Sequence, residues 1–250
     1  MRGCSRRSDS CPRWLGRVYG SGGGSPGKMR WDSLSAASGG NAMAHVREKV
    51  LRLITYSHEL SLDLNREEDR FKWFLASILF AKRISSEVAK RTYREFEKAG
   101  IVTAESIIEA GWDKLVEVLD SGGYVRYDFS TASNLLEIVV SLKEKYGSLE
   151  GLYTQSKDSK DLEKRLLEFK GVGPTTVNIF LRELRAVWEK AKPQLSLLAR
   201  EVASRLGLGE EELELPAVES ALVRLNLEYC KGRKCSSCPV REGCHEAGAT

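Results

Sequence analysis

Four cysteines close the chain with the spacing Cys230-x4-Cys235-x2-Cys238-x5-Cys244. Thiols clustered this tightly point to metal or cluster ligation in a reducing compartment rather than to a disulfide framework. One tight pair with longer flanking gaps suits a cubane [4Fe-4S] cluster, which takes a thiolate at each of four corners. Structural zinc is the alternative, because Cys230-x4-Cys235 can pass as a second knuckle. Either group would make this end a folding element, not a reaction centre. Between the first two cysteines, Lys231, Arg233 and Lys234 set three positive charges on four residues. The run reads as a solvated surface loop or as a phosphate-contacting loop held rigid by the cluster.

About 50 residues upstream, Gly171-Val172-Gly173 separates two helix-like runs and is followed by Pro174. The glycines permit positive φ and close backbone approach. Proline suits the first helical position, where its missing N–H is no loss. The free amides at that helix start, helped by the helix dipole, are suited to hold a phosphate oxygen. An ordinary helical hairpin with a glycine cap has the same local pattern.

The elements that must position these groups read as almost continuous helix. Apolar residues recur near a 3.6 period over 44–62, and 68–82 is apolar nearly all round, as for a central helix. Further helices are expected over 85–98, 103–109, 111–120, 130–146, 159–169, 174–189, 194–206 and 216–228, with glycines marking the stops. No alternating strand pattern and no internal repeat is evident. The fold class is all-α.

Composition sets outer bounds. The chain has 250 residues, 42% hydrophobic and 30% charged, ordinary for a globular protein. No apolar run approaches the roughly 20 residues a membrane span needs, so no membrane role is expected. The formal charge of +4 hides an asymmetry. Residues 1–43 carry seven basic and two acidic residues, +5 in sum, which leaves −1 for the remainder. A nucleic-acid-binding body of near-zero charge must gather its cations on one face. Residues 1–43 are rich in Gly, Ser and Arg, lack apolar periodicity and are expected to be disordered. They read as a targeting peptide or, the favoured reading, as upstream sequence preceding a natural start at Met43. Cys4 and Cys11 lie there without interpretable spacing.

Hairpin, cysteines and their separation together resemble the helix-hairpin-helix DNA glycosylase superfamily, in its endonuclease III-like iron–sulfur branch. The resemblance runs over about 44–246. It includes Ile78-Leu-Phe-Ala-Lys82, the turn-rich Gly122-Gly-Tyr-Val-Arg-Tyr-Asp-Phe-Ser-Thr-Ala-Ser-Asn134 and the helix Glu201-Val-Ala-Ser-Arg205-Leu-Gly-Leu208. It implies two helical lobes: a six-helix barrel with the hairpin over 67–187, and an iron–sulfur helical domain from 44–66 and 188–250. It also implies a monomer that binds double-stranded DNA containing a damaged or mismatched base, with the base flipped into a cleft, in the cytoplasm of a bacterium or archaeon, at the nucleoid. Gly171, Val172, Gly173, Thr175, Lys82, Lys231, Arg233 and Lys234 are the candidate DNA contacts, and Tyr124 and Tyr127 the candidate base pocket. Each tyrosine could equally pack the rim of the barrel.

Two departures bear on chemistry. Thr175 stands where bifunctional relatives carry a nucleophilic lysine, so no Schiff base and no lyase step is expected. Ser196 stands where typical members place an aspartate, and a hydroxyl is a poor base without charge. The first cysteine gap is also two residues shorter than the family's usual six. Asp128 is the leading substitute acid, although an aspartate before Ser130 can simply cap a turn. Glu201 is expected to pair with Arg205 at i+4. The catalytic candidates are thus Asp128, Ser196 and Thr175. The expected activity is a monofunctional DNA glycosylase of base-excision repair; the alternative is a catalytically inactive protein that binds damaged or structured DNA.

Overall fold

The computed structural model describes residues 40–246, and all regular structure among them is helical. The expected all-α class is what forms. Residues 1–39, with Cys4 and Cys11 and most of the expected disordered extension, lie outside the described residues.

Among the described residues, twelve α-helices follow in order: α1 Gly40–Leu51, α2 Tyr56–Glu59, α3 Glu67–Phe80, α4 Ser86–Lys98, α5 Ala104–Ser121, α6 Asp128–Tyr146, α7 Leu149–Gln155, α8 Ser159–Leu167, α9 Pro174–Glu183, α10 Leu197–Arg205, α11 Glu210–Leu213 and α12 Val218–Leu225. Many begin as a sequence reader would hope. Ser85, Thr103, Ser148 and Asp158 each accept a first-turn amide with the side chain, the interaction that makes these residue types favoured caps. The expected break between 103–109 and 111–120 is real. Gly111 takes φ 69° and ψ 176° and kinks α5 into two helical pieces.

The described residues bury two separate apolar cores. The larger gathers Trp73, Phe74, Leu79, Tyr93, Phe96, Ile107, Leu115, Leu135 and Phe180 among others, all with 2% exposure or less. The indole of Trp73 donates to the Phe180 carbonyl at 3.2 Å, pinning α3 to α9. The smaller core joins Val46 and Val50 of α1 to Ala199 and Val202 of α10, Leu206 just past it, Leu222 and Leu225 of α12, and Val240. Each fully buried large apolar side chain contributes about 1.5–3 kcal/mol.

Expectation and structure part in a few places. The helix expected over 44–62 is interrupted between Leu51 and Tyr56, and Thr55 caps the new start by accepting from the His58 amide at 3.3 Å. The reason is packing. Val46 and Val50 belong to the smaller core, whereas Tyr56, Leu60, Leu62 and Leu64 belong to the larger. One straight helix cannot supply both. α9 stops at Glu183 instead of 189, and the turns that follow seat Trp188 against Phe180 and Tyr153. The last expected helix, 216–228, is α-helical only to Leu225 and then widens into a π-turn, Asn226–Cys230. The short α7 and α11 were not anticipated, since 7 and 4 residues give too few positions for a period to show.

Candidate nucleic-acid interface and thiol cluster

The hairpin is α8, a tight turn and α9. Gly171 adopts φ +86°, a left-handed conformation that favours glycine. It also lies against α6: a Cβ at that position would meet Asn134, with 2.5 Å to Nδ2, 2.7 Å to Cγ and 3.0 Å to Cβ. Val172 faces inward at 5% exposure and anchors the turn. Gly173 is the N-cap of α9, no side chain caps that end, and Pro174 occupies the first turn. Thr175 is exposed at the helix start, while Thr176 is buried. The first amides of α9 therefore lack side-chain acceptors, and they carry the positive end of the helix dipole.

Asp128 opens α6 at 8% exposure. Its Oδ1 accepts the Phe129 amide at 2.7 Å, and its carboxyl neighbours that of Asp120 at the end of α5. Local desolvation, then the neighbouring Asp128 carboxyl, push the Asp120 carboxyl above its ordinary range. Asp120 carried no sequence signal, because its partner lies eight residues on, in another helix.

Tyr124 is wholly enclosed, and its hydroxyl donates to the Leu79 carbonyl at 2.9 Å. That carbonyl lies in the last turn of α3, where helical partners run out. Tyr127 is half-buried, edge-on to Tyr124 and beneath the Arg126 guanidinium. Lys82, just past α3, is half-buried. The structure thus groups Asp128 and Tyr127 at one helix start but packs Tyr124 behind them in the core.

Ser196 is the N-cap residue of α10, and its hydroxyl makes no capping bond. Its amide donates instead to Glu219 Oε1 of α12 at 2.8 Å. Glu219 is 1% exposed and takes the Arg185 guanidinium on its other oxygen, at 2.8 Å from Nη2 and 3.2 Å from Nε. Neither residue stood out in the sequence. Glu201 and Arg205 do pair, at 2.6 Å.

All four candidate ligand cysteines are half-buried free thiols, and Cys230, Cys238 and Cys244 pack on the smaller core. Burial pushes the Cys230 thiol up; the nearby Arg205 guanidinium pulls the other way, while Cys244 and Cys235 add to the rise. Burial likewise raises Cys238, with the other three cysteines contributing. Among the described residues, no three His, Cys, Asp or Glu side chains converge so as to hold a metal ion. Lys231, Arg233 and Lys234 are all exposed, on a loop whose amides bond back to the carbonyls of Asn226, Cys230 and Tyr229. A groove of about 360 Å³ runs beside it, bounded by Leu198, Glu201, Arg205, Asn226, Leu227 and Cys230.

No protein-family model matches the chain, and no curated protein matches it.

Proposed function

We propose that this protein binds duplex DNA in base-excision repair and acts as a monofunctional DNA glycosylase on a damaged base. The observation that carries the reading is the uncapped start of α9 behind the Gly171–Gly173 turn, whose free amides suit a phosphate oxygen. The exposed Lys231, Arg233 and Lys234 supply further phosphate contacts, and Lys82 another. The two apolar cores support a two-lobed arrangement, a barrel and a cysteine-bearing domain, with DNA across the cleft between them and the protein working as a monomer at a bacterial or archaeal nucleoid.

In this reading water adds to C1′ as the N-glycosidic bond breaks, and the base leaves with the bonding electrons. Asp128 takes the proton of the attacking water or offsets the positive charge that develops on the sugar. The Ser196 hydroxyl, not consumed by capping, holds that water. Thr175 offers no amine, so no covalent adduct with the sugar forms.

Cys230, Cys235, Cys238 and Cys244 would hold a [4Fe-4S] cluster, with zinc as the alternative occupant. Residue type and spacing are what support this reading, since among the described residues the four half-buried thiols do not converge on one point. The group's contribution would be to brace the basic loop, with no part in the bond-breaking step.

A second reading, binding without excision, draws on the enclosure of Tyr124 and the engagement of Asp128 by Phe129 and Asp120. One experiment separates the two. Anaerobically purified protein is incubated with duplexes carrying uracil, oxidised pyrimidine, 8-oxoguanine, hypoxanthine or alkylated bases, then treated with alkali. Strand scission that requires the alkali step supports the glycosylase. Tight binding with no scission on any duplex supports the second reading.

A further inference from the structure

The segment between α9 and α10 is held by side chains at one backbone polar group after another. Arg185 Nη2 donates to the Pro193 carbonyl at 2.8 Å. Asn178 Nδ2 donates to the Gln194 carbonyl at 2.7 Å. The Ser196 amide donates to Glu219 Oε1 at 2.8 Å. Further back, the segment's own Lys190 Nζ donates to the carbonyls of Tyr153 and Ser156 at the end of α7, at 3.0 and 2.5 Å. Buried backbone groups require partners, but helices or turns usually supply them. Here the partners are charged or amide side chains, Asn178 of α9, Glu219 of α12 and Arg185 of the segment itself, so the segment's course depends on them.

Glu219 joins two of these residues, Ser196 and Arg185. It lies on α12, whose Val218, Ala221 and Leu222 fill the smaller core, whereas Arg185 follows α9, whose Phe180 and Leu181 fill the larger. Its two oxygens are divided between the tasks: one takes Ser196, the other Arg185. At 1% exposure it cannot itself meet a substrate. A buried carboxylate with both oxygens engaged is also fixed in direction, because moving it would leave either the guanidinium or the amide unpaired.

We infer that Glu219, backed by Arg185, is the positioning residue that fixes Ser196 at the head of α10. This rests on reading Ser196 as part of the excision site. The Ser196 side chain makes no capping bond, so its placement comes from the main chain, and the main chain is held by Glu219. The missing family aspartate is then compensated in part from behind: a carboxylate from another helix orders the residue that took its place.

The test pairs a local readout with a kinetic one. Amide hydrogen exchange at Ser196, followed by NMR or mass spectrometry, should be slow in the unmodified protein. In Glu219→Ala it should accelerate about 10- to 100-fold, the worth of a bond to a charged group, while amides of α3 stay unchanged. Glu219→Gln keeps an oxygen for the Ser196 amide and should retain most of the protection. On a duplex that the unmodified protein cleaves, Glu219→Ala should lower kcat roughly 10- to 100-fold with little change in KM, and Glu219→Gln should recover most of the loss. Fast Ser196 exchange in the unmodified protein, or exchange unaffected by Glu219→Ala, would overturn the inference. So would equal losses in both variants with faster exchange throughout, since that signals a merely structural residue. A protein that cleaves no duplex yet shows the expected exchange pattern would refute the excision reading and uphold the clamp.

Discussion

Replacing Gly171 by alanine should cost far more stability than replacing Gly173, although a single residue separates them. At Gly171 the backbone is left-handed, φ +86°, which costs a residue with a Cβ about 1–2 kcal/mol. The added methyl would also press on Asn134, not only on its amide tip but on its Cγ and Cβ at 2.7 and 3.0 Å. Relieving that contact requires a shift of α6 or an altered Asn134 side chain, for about 1–3 kcal/mol more. The sum, about 2–5 kcal/mol, corresponds to a Tm fall of roughly 4–20 °C in a chain of this size. Gly173 has φ −107° and ψ 179°, and nothing lies within 4 Å of the position its Cβ would take. Alanine there should change stability by less than ~1 kcal/mol but weaken duplex binding, because the methyl stands beside the amides that would hold a phosphate. Thermal denaturation followed by circular dichroism, together with gel retardation at low ionic strength, reads both effects. Equal Tm losses for the two variants would refute the account of the hairpin's geometry. Undiminished DNA affinity in Gly173→Ala would refute its use as a phosphate cradle.

Other outcomes follow from the same geometry. Tyr124→Phe removes the bond to the buried Leu79 carbonyl and should cost about 1–3 kcal/mol in urea denaturation, with DNA affinity unchanged. Asp128→Asn should abolish excision if Asp128 is the acting carboxylate, and full retention of alkali-dependent scission would remove it from that role. The same variant should lower the Asp120 carboxyl toward its ordinary range, as followed by carboxyl NMR. Because the Asp120 carboxyl is raised in the folded protein, its contribution to stability is present in acid and is lost as pH rises through the folded value. The Asp128→Asn substitution should flatten that decline. Borohydride added during reaction should trap no protein–DNA adduct, since Thr175 provides no amine, and an adduct would contradict the assignment of a hydrolytic mechanism.

Much of the fold was legible because local signals agreed with tertiary demand. The caps at Ser85, Thr103 and Asp158, the break at Gly111 and the turn at Gly171 are short-range features that residue type largely determines. The interruption at 52–55 was not legible, because it arises from one run of apolar residues serving two cores, and periodicity cannot tell which core a leucine will enter. The candidate site divides in the same way. The four cysteines and the glycine turn announce themselves by spacing within a few residues. Asp120 beside Asp128, and Glu219 beneath Ser196, are pairings between different helices. A carboxylate 23 residues from its amide partner leaves no pattern along the chain.

The most direct measurement is the affinity of the unmodified, anaerobically prepared protein for duplex DNA as salt is raised. If the α9 amides and the Lys231–Lys234 loop engage phosphates, log affinity should fall linearly with log salt, with a slope of about −0.9 for each phosphate neutralised. No measurable binding at low ionic strength, or an affinity indifferent to salt, would contradict the account.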